Sequence, residues 1–135
     1  MASINEACKQ IVESVDNAFA AGVVDLNTGL LLGVYHNIPY FTQSYLDAVA
    51  AAAVDMFRGK GVSNVEKRIS QTRGEEVSNS LQEIQMTTTK TYHFMSVVPG
   101  KPNAIAVLIT GKQVNLGMGW AGLKNSMNDI APLCP

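Results

Sequence analysis

The residues most suggestive of chemistry lie near the end of the chain, where Gly117-Met118-Gly119-Trp120-Ala121-Gly122 spells G-x-G-x-x-G between an apolar run and a helical one. In a dinucleotide site the first glycine turns directly out of a strand, and the helix that follows leads to a second parallel strand ending in an acidic residue about twenty positions on. Here Lys112 to Leu116 separate Gly111 from Gly117, and no further strand is expected before Pro135. The expected role of Gly119 and Gly122 is therefore to let the first and last helices approach closely, against a loss of about 1 kcal/mol of helix propensity at each.

The other chemistry-bearing types are few. His36 and His93 are the only histidines, and neither stands near a cysteine or a second acid at ligand spacing, so no metal site is expected. His93 alternates with Tyr92 and Phe94 and reads as a sheet-face residue, while His36 ends a strand. No Ser, Cys or Thr occupies a nucleophile motif, which leaves no catalytic residue and no cofactor site to name. A triad assembled from distant residues is the one catalytic arrangement the sequence leaves open. Cys8 and Cys134, at opposite ends, form neither a disulfide framework nor a zinc motif, and a reducing cytoplasm suits them best. Cys8 falls on an apolar helical stripe, where a thiol acts as a small hydrophobe. Cys134, beside the terminus, is expected to be exposed.

These residues must be positioned by a small number of elements. A chain of 135 residues, 47% hydrophobic and 16% charged, suits one domain (1–135) with a substantial core and more apolar material than that core alone needs. A net charge of -1 gives no broad attraction to nucleic acid or to anionic membranes. The first ten residues lack the basic start and apolar run of a signal peptide. The longest uncharged stretch, between Asp25 and Asp47, is interrupted by Asn27, Asn37, Pro39 and Gln43, so no membrane span is expected.

Ser3 and Glu6 form a capping-box pattern ahead of apolar positions at Ile4, Ala7, Cys8, Ile11, Val12 and Val15, which predicts an amphipathic helix. Residues 20–26 and 30–36 are apolar, β-rich runs around Asn27-Thr28-Gly29, the signature of a hairpin. From 42 to 58 the pattern is helical. Leu46, Val49, Ala50, Ala53 and Phe57 make one stripe, and Tyr45, Ala48, Ala52 and Met56 make a second beside it. Only Asp47, Ala51 and Asp55 are left for water, so this helix is expected to pack against its own sheet and against a second body.

The segment 59–80 is polar, and with Arg58 it holds Lys60, Lys67, Arg68 and Arg73. Ser63 and Glu66 match a capping box, and Val62, Val65 and Ile69 follow at helical spacing, predicting a short extra helix that ends near Gly74. Either a solvated surface or a contact with acidic partners suits the basic cluster, with Glu66, Glu75 and Glu76 nearby favouring the first. Three strands are then expected at 81–88, 91–98 and 104–110, joined by Thr88-Thr89-Lys90 and by 99–103. The last is apolar on both faces and belongs at the sheet centre. In the first of them Glu83 and Gln85 alternate with Ile84 and Met86, as on an edge with one wet face. A final helix over about 113–129 places Leu116, Trp120, Leu123 and Met127 together, and Pro132 and Pro135 stop it. The plan is α+β, a five-stranded antiparallel sheet with helices on both faces in the order α-β-β-α-β-β-β-α.

Three segments of this plan resemble the Roadblock/dynein light-chain family, whose fold is a profilin-like sandwich. They are the hairpin Gly22-Val23-Val24-Asp25-Leu26-Asn27-Thr28-Gly29-Leu30, the alanine-rich helix over 44–57, and the strand and helix start over 103–123 containing Asn115-Leu116-Gly117. The resemblance implies a homodimer that joins the two edge strands, through Glu83, Ile84, Gln85 and Met86, and packs the two middle helices together, through Tyr45, Ala48, Ala52 and Met56. It also implies a non-enzymatic regulatory or scaffold module that binds a small Ras-like GTPase or a related signalling or motor partner. The segment at 59–80 and the glycines of the last helix depart from the family's usual pattern. A competing class is a ligand-sensing domain, in which Tyr92, Phe94 and Trp120 line a pocket between sheet and helix.

Overall fold

The computed structural model describes residues 3–135; Met1 and Ala2, the start of the stretch read as lacking a signal peptide, lie outside the described residues. Ser3 caps the first helix, α1 (Ile4–Ser14), its hydroxyl accepting from the Glu6 N–H at 3.1 Å. The apolar stripe Ala7, Cys8, Ile11 and Val12 is buried. The hairpin follows as β1 (Ala18–Asp25) and β2 (Leu31–His36). Its turn is built by Asp25, whose carboxylate accepts from the Asn27 N–H at 3.1 Å and the Thr28 hydroxyl at 2.8 Å, while Gly29 takes the positive φ of 74° that the reversal requires.

Thr42 caps α2 (Gln43–Arg58) through its hydroxyl, and the single extended residue Gly59 both ends that helix and leads into α3 (Lys60–Arg73). The extra helix is thus longer than its capping signal, and Ser63 lies inside it. Glu66 is not used to cap. Its carboxylate accepts from the Ser80 N–H at 2.7 Å and the Ser80 hydroxyl at 2.5 Å, tying α3 to the chain that returns past it. Ser70 does the same one turn later, its hydroxyl accepting from the Val77 N–H at 2.7 Å. Gly74, at φ 73°, closes the helix where expected.

The remaining strands are β3 (Glu83–Thr87), β4 (Thr91–Val98) and β5 (Lys101–Gly111). All pairings are antiparallel and the sheet order is β2-β1-β5-β4-β3, with the last strand central and the third at an edge, as read from their polarity. The link 99–103 is shorter than expected. Pro99-Gly100 alone makes the turn, Gly100 adopting φ 74°, and β5 is already paired at Lys101. β5 is buried from Ala104 to Gly111, so side chains on both faces need cover.

That cover divides the interior in two. On one face α1 and the C-terminal helices pack over Val23, Phe94, Ala106 and Leu108; on the other α2 packs Leu46, Ala50, Ala53 and Phe57 over Val24, Met95, Ile105 and Val107. Each large side chain buried this fully contributes about 1.5–3 kcal/mol. Cys8 and Cys134 both belong to the first cluster, so Cys134 is buried rather than exposed, carried inward by the 3-10 turn Ala131–Leu133. Burial, with the neighbouring Cys134, pushes the Cys8 thiol up to about 12.

The final helix is also corrected. It starts at Leu116 and breaks at Ser126 into α4 (Leu116–Asn125) and the single turn α5 (Met127–Ile130). The start is set by Asn115, whose side-chain oxygen accepts from the Gly117 N–H at 2.8 Å and the Met118 N–H at 3.4 Å. Leu116 stays exposed and Trp120 half-buried. Of the two glycines, Gly122 faces α1 as expected, since a Cβ there would come within 2.2 Å of Val15. Gly119 instead faces the sheet, where a Cβ would meet the Phe94 ring at 2.4 Å.

Gly119→Ala is therefore expected to lower stability by about 1–3 kcal/mol through overpacking, despite the helix propensity it gains, as read by chemical denaturation. The two Ser80 hydrogen bonds hold the Glu66 carboxyl below the ordinary glutamate range. A group depressed on folding adds stability above its unfolded value and loses it as pH falls through the folded one. Glu66→Gln should thus cost about 1 kcal/mol at pH 7, and the gap between variant and wild type should close in denaturation curves taken in acid.

Candidate interaction surface

The helix α2 carries both apolar stripes that its sequence spells, and only one meets the sheet. Leu46, Ala50, Ala53 and Phe57 are buried and Val49 half-buried, whereas Tyr45, Ala48 and Ala52 are exposed and Met56 is half-buried. Tyr45 lies 39% exposed with its ring stacked on Phe41, centroids 4.7 Å apart. The two alanines between Tyr45 and Met56 leave a shallow, smooth strip that another backbone can approach closely. Asp47, Ala51 and Asp55 continue the exposed surface beyond it.

At the sheet edge, Glu83, Gln85 and Thr87 are exposed while Ile84 and Met86 alternate with them, half-buried. Ile84, Met86 and Met56 all pack against the α2-side cluster without being enclosed by it, so the helix strip and the strand each leave apolar surface uncovered on that side of the sheet. Glu83 already holds an ion pair with Lys124 of α4 at 2.9 Å, in which both side chains remain about half exposed. An exposed pair of this kind contributes little and can exchange partners.

The two ends of the sheet differ. β2 is obstructed by α1, for the Asn5 side-chain oxygen accepts from the Val34 N–H at 2.9 Å, and a Cβ on Gly33 would strike Ile4 at 2.4 Å. β3 pairs with β4 alone, and its outer side has no neighbouring strand among the described residues. An unpaired edge of this kind is a template for strand addition.

The remaining chemistry-bearing residues are structural. Asn115 occupies the first N–H groups of α4, and Asn17 accepts from the Gln113 N–H at 3.2 Å, so the G-x-G-x-x-G segment presents its own cap where a phosphate would sit. His93 is buried on the same sheet face as Met95, 3.0 Å from the Thr91 hydroxyl, and burial lowers its pKa, keeping the ring neutral. His36 accepts from the Ile38 N–H at 3.3 Å and lies tilted against Phe41. Tyr92, Phe94 and Trp120 fill space rather than line it. Phe94 is fully buried, edge-on to Trp120 at 5.2 Å and to Tyr92 at 6.3 Å. Among the described residues no cluster of three His, Cys, Asp or Glu could hold a metal ion, and no helix is long and apolar enough to cross a membrane.

The end of the sheet carries a surface feature that has no sequence signal of its own. A cleft of about 690 Å³ runs around the end of the sheet from Phe57 and Arg58 to Lys124 and Met127. Arg58 is fixed at its rim by donating to the Asn103 side-chain oxygen at 3.1 Å and the Pro102 carbonyl at 2.8 Å. Its partners lie more than forty residues away, and only the tight Pro99-Gly100 turn brings them there.

Comparison with protein families and with curated proteins gives no match. Among solved structures, the chain is similar to MglB from Myxococcus xanthus, with a TM-score of 0.70 at 16% identity over 96% of this chain and 86% of that one. It is equally similar to a Roadblock/LC7 domain from Streptomyces avermitilis, with a TM-score of 0.70 at 15% identity over 97% of each chain. MglC from Myxococcus xanthus gives a TM-score of 0.57 at 15% identity, over 94% of this chain and 95% of that one. These likenesses extend along nearly the whole chain. The hairpin, the alanine-rich helix and the terminal strand and helix therefore do build what their resemblance implied, and the fold of this chain is that of the Roadblock/LC7 domains.

Proposed function

We propose that the chain, as a single domain over 1–135, is a non-enzymatic homodimeric regulatory or scaffold module of the cytoplasm that binds a small Ras-like GTPase or a related signalling or motor partner. The observation that carries this reading is the exposed second stripe of α2 together with the β3 edge, which no described residue pairs with from outside the sheet. A lone protomer leaves both in water. A second copy, related by a two-fold axis, pairs β3 with β3 and lays Tyr45, Ala48, Ala52 and Met56 of one α2 against those of the other, so the same patch is used twice. Strand addition satisfies the edge groups, and the alanines let the helices close. A solved structure of this fold, MglB in a tetrameric arrangement, supports association through it.

The regulatory role follows from what such a dimer offers. Two joined protomers present a continuous sheet and a paired helix surface wide enough for a folded partner, and binding that favours one conformation of the partner shifts its population. The resemblance to the Roadblock/dynein light-chain family supports a small GTPase as that partner. The interlocked Tyr92, Phe94 and Trp120 speak against the sensing alternative at the place it requires.

Because Ala52 is exposed in the protomer, Ala52→Arg should leave the protomer folded, with its circular-dichroism spectrum unchanged, while the melting temperature falls only by what association contributed. It forces a charge into the helix pairing at a cost of several kcal/mol, enough to weaken the dimer by more than about 100-fold. Light scattering under reducing conditions should show wild type at twice the chain mass and the variant at one; a variant that stays dimeric excludes helix pairing. Affinity capture from lysate with GDP or a non-hydrolysable GTP analogue should recover a small GTPase in a nucleotide-dependent manner, and recovery that is identical in both states excludes regulation of this kind.

A further inference from the structure

The extra helix α3 divides the charge of the molecule. Positions 58–73 hold five cations and one carboxylate, whereas the rest of the chain holds five cations and ten carboxylates. The single carboxylate is Glu66, and it is turned inward to Ser80, where the cation whose charge it feels is Arg58 and it forms no ion pair with Lys60, Lys67, Arg68 or Arg73. Lys60, Lys67, Arg68 and Arg73 are all exposed, and none forms an ion pair with a described residue. Glu75 and Glu76, just past the left-handed Gly74, likewise pair with neither arginine.

Between the two arginines lies apolar surface. Val65 is 56% exposed, Ile69 is half-buried, and with Thr72 they floor a shallow groove of about 260 Å³ walled by Arg68 and Arg73. Residues at positions 65, 69 and 72 share one side of a helix, spaced by four and three, and Arg68 and Arg73 flank that line. Guanidinium groups there suit carboxylates, which they can grip with two parallel hydrogen bonds.

We infer that the Val65–Ile69 groove of α3 is a docking site for an acidic amphipathic protein segment, which seats an aliphatic side chain between Arg68 and Arg73 and offers each of them a carboxylate. The groove lies on α3, so this inference does not depend on the dimer proposed above. Charge complementarity chooses the occupant. A nucleic acid is also anionic, but α3 carries no aromatic residue to stack a base, and the ten carboxylates elsewhere repel a long polyanion. An anionic membrane needs a broad apolar face to insert, and α3 offers Val65 with a half-covered Ile69. A short segment needs only the groove and its two walls. The anchoring of α3 by Ser80 and Val77 keeps the groove in place before anything binds, which lowers the ordering cost of association.

The test is fluorescence anisotropy with the full chain and a labelled peptide of about 15 residues, leucines at helical spacing with glutamates beside them. Saturable binding is expected, weakening as salt rises, and the peptide with lysine in place of glutamate should not bind. The double variant Arg68→Glu/Arg73→Glu should lose at least about tenfold in affinity, and Val65→Ser should lose several-fold at unchanged salt dependence. Both alter exposed positions, and an unchanged melting curve checks that the fold is intact. No binding to the acidic peptide, or equal binding by the double variant, overturns the inference. So does charge-reversal-sensitive binding to phosphatidylserine vesicles or to single-stranded DNA without binding to the peptide. A change in oligomeric state on charge reversal overturns it as well, since the groove is then a contact between copies of this chain.

Discussion

The structure rests on a strand that is apolar on both faces. From Ala104 to Gly111 every residue of β5 is buried, so no arrangement with water on either side of the sheet centre is affordable. The consequence is a three-layer build with two separate interiors, one under α1 and the C-terminal helices and one under α2. The close packing of the first interior follows from the same demand. Gly119 and Gly122 let α4 settle directly on Phe94 and Val15, and even the terminal Cys134 is drawn in.

The two layers of cover are unequal, and this inequality gives the molecule its surface character. One face has α1, α4 and α5 over it. The other has α2 alone, because α3 contributes no side chain to that core and is held instead by polar contacts through Glu66 and Ser70. One helix cannot span five strands, and the deficit appears at β3, where Ile84 and Met86 remain half-buried. The apolar flank of α2 is uncovered as well. What looks like surplus hydrophobicity in the composition is therefore gathered on the flank of α2 and on β3, and gathered apolar surface is what marks an interaction site. The opposite edge shows the alternative treatment, with Asn5 and Ile4 laid across β2.

The histidines, cysteines and glycine-rich run illustrate how composition misleads when chemistry is sought in it. Each is consumed locally. Asn115 satisfies the N–H groups that a phosphate would need, Thr91 stands beside a neutral His93, and Cys8 and Cys134 serve as small apolar bodies whose thiols burial makes hard to ionise. With these groups spoken for, the surface rather than an interior cleft is where the molecule has free valence, and the two exposed apolar and charged regions on α2 and α3 are distinct from one another.

Much of this was legible in the chain itself. Period-two and period-three-to-four patterns fixed the strands and helices within a few residues, since side chains that must face a common core recur at the period of the backbone that carries them. The two apolar faces of β5 and the alternation of β3 placed those strands at the centre and at an edge of the sheet, and both stripes of α2 were visible with the inner one correctly assigned. Local signals failed where a distant group won the competition for a side chain. Ser63 and Glu66 spelled a helix start, but Ser80 claims the carboxylate and the helix begins at Lys60; Cys134 read as exposed from its position, but the turn before it returns the chain to the core. The sequence determined the elements, the sheet and the existence of a spare apolar face, because those depend on periodicity. Only the tertiary structure decided that Asn5 reaches across the opposite edge at β2, that Arg58 meets Asn103, and that Glu66 turns inward to Ser80, because each depends on which residues far apart in the chain come to touch.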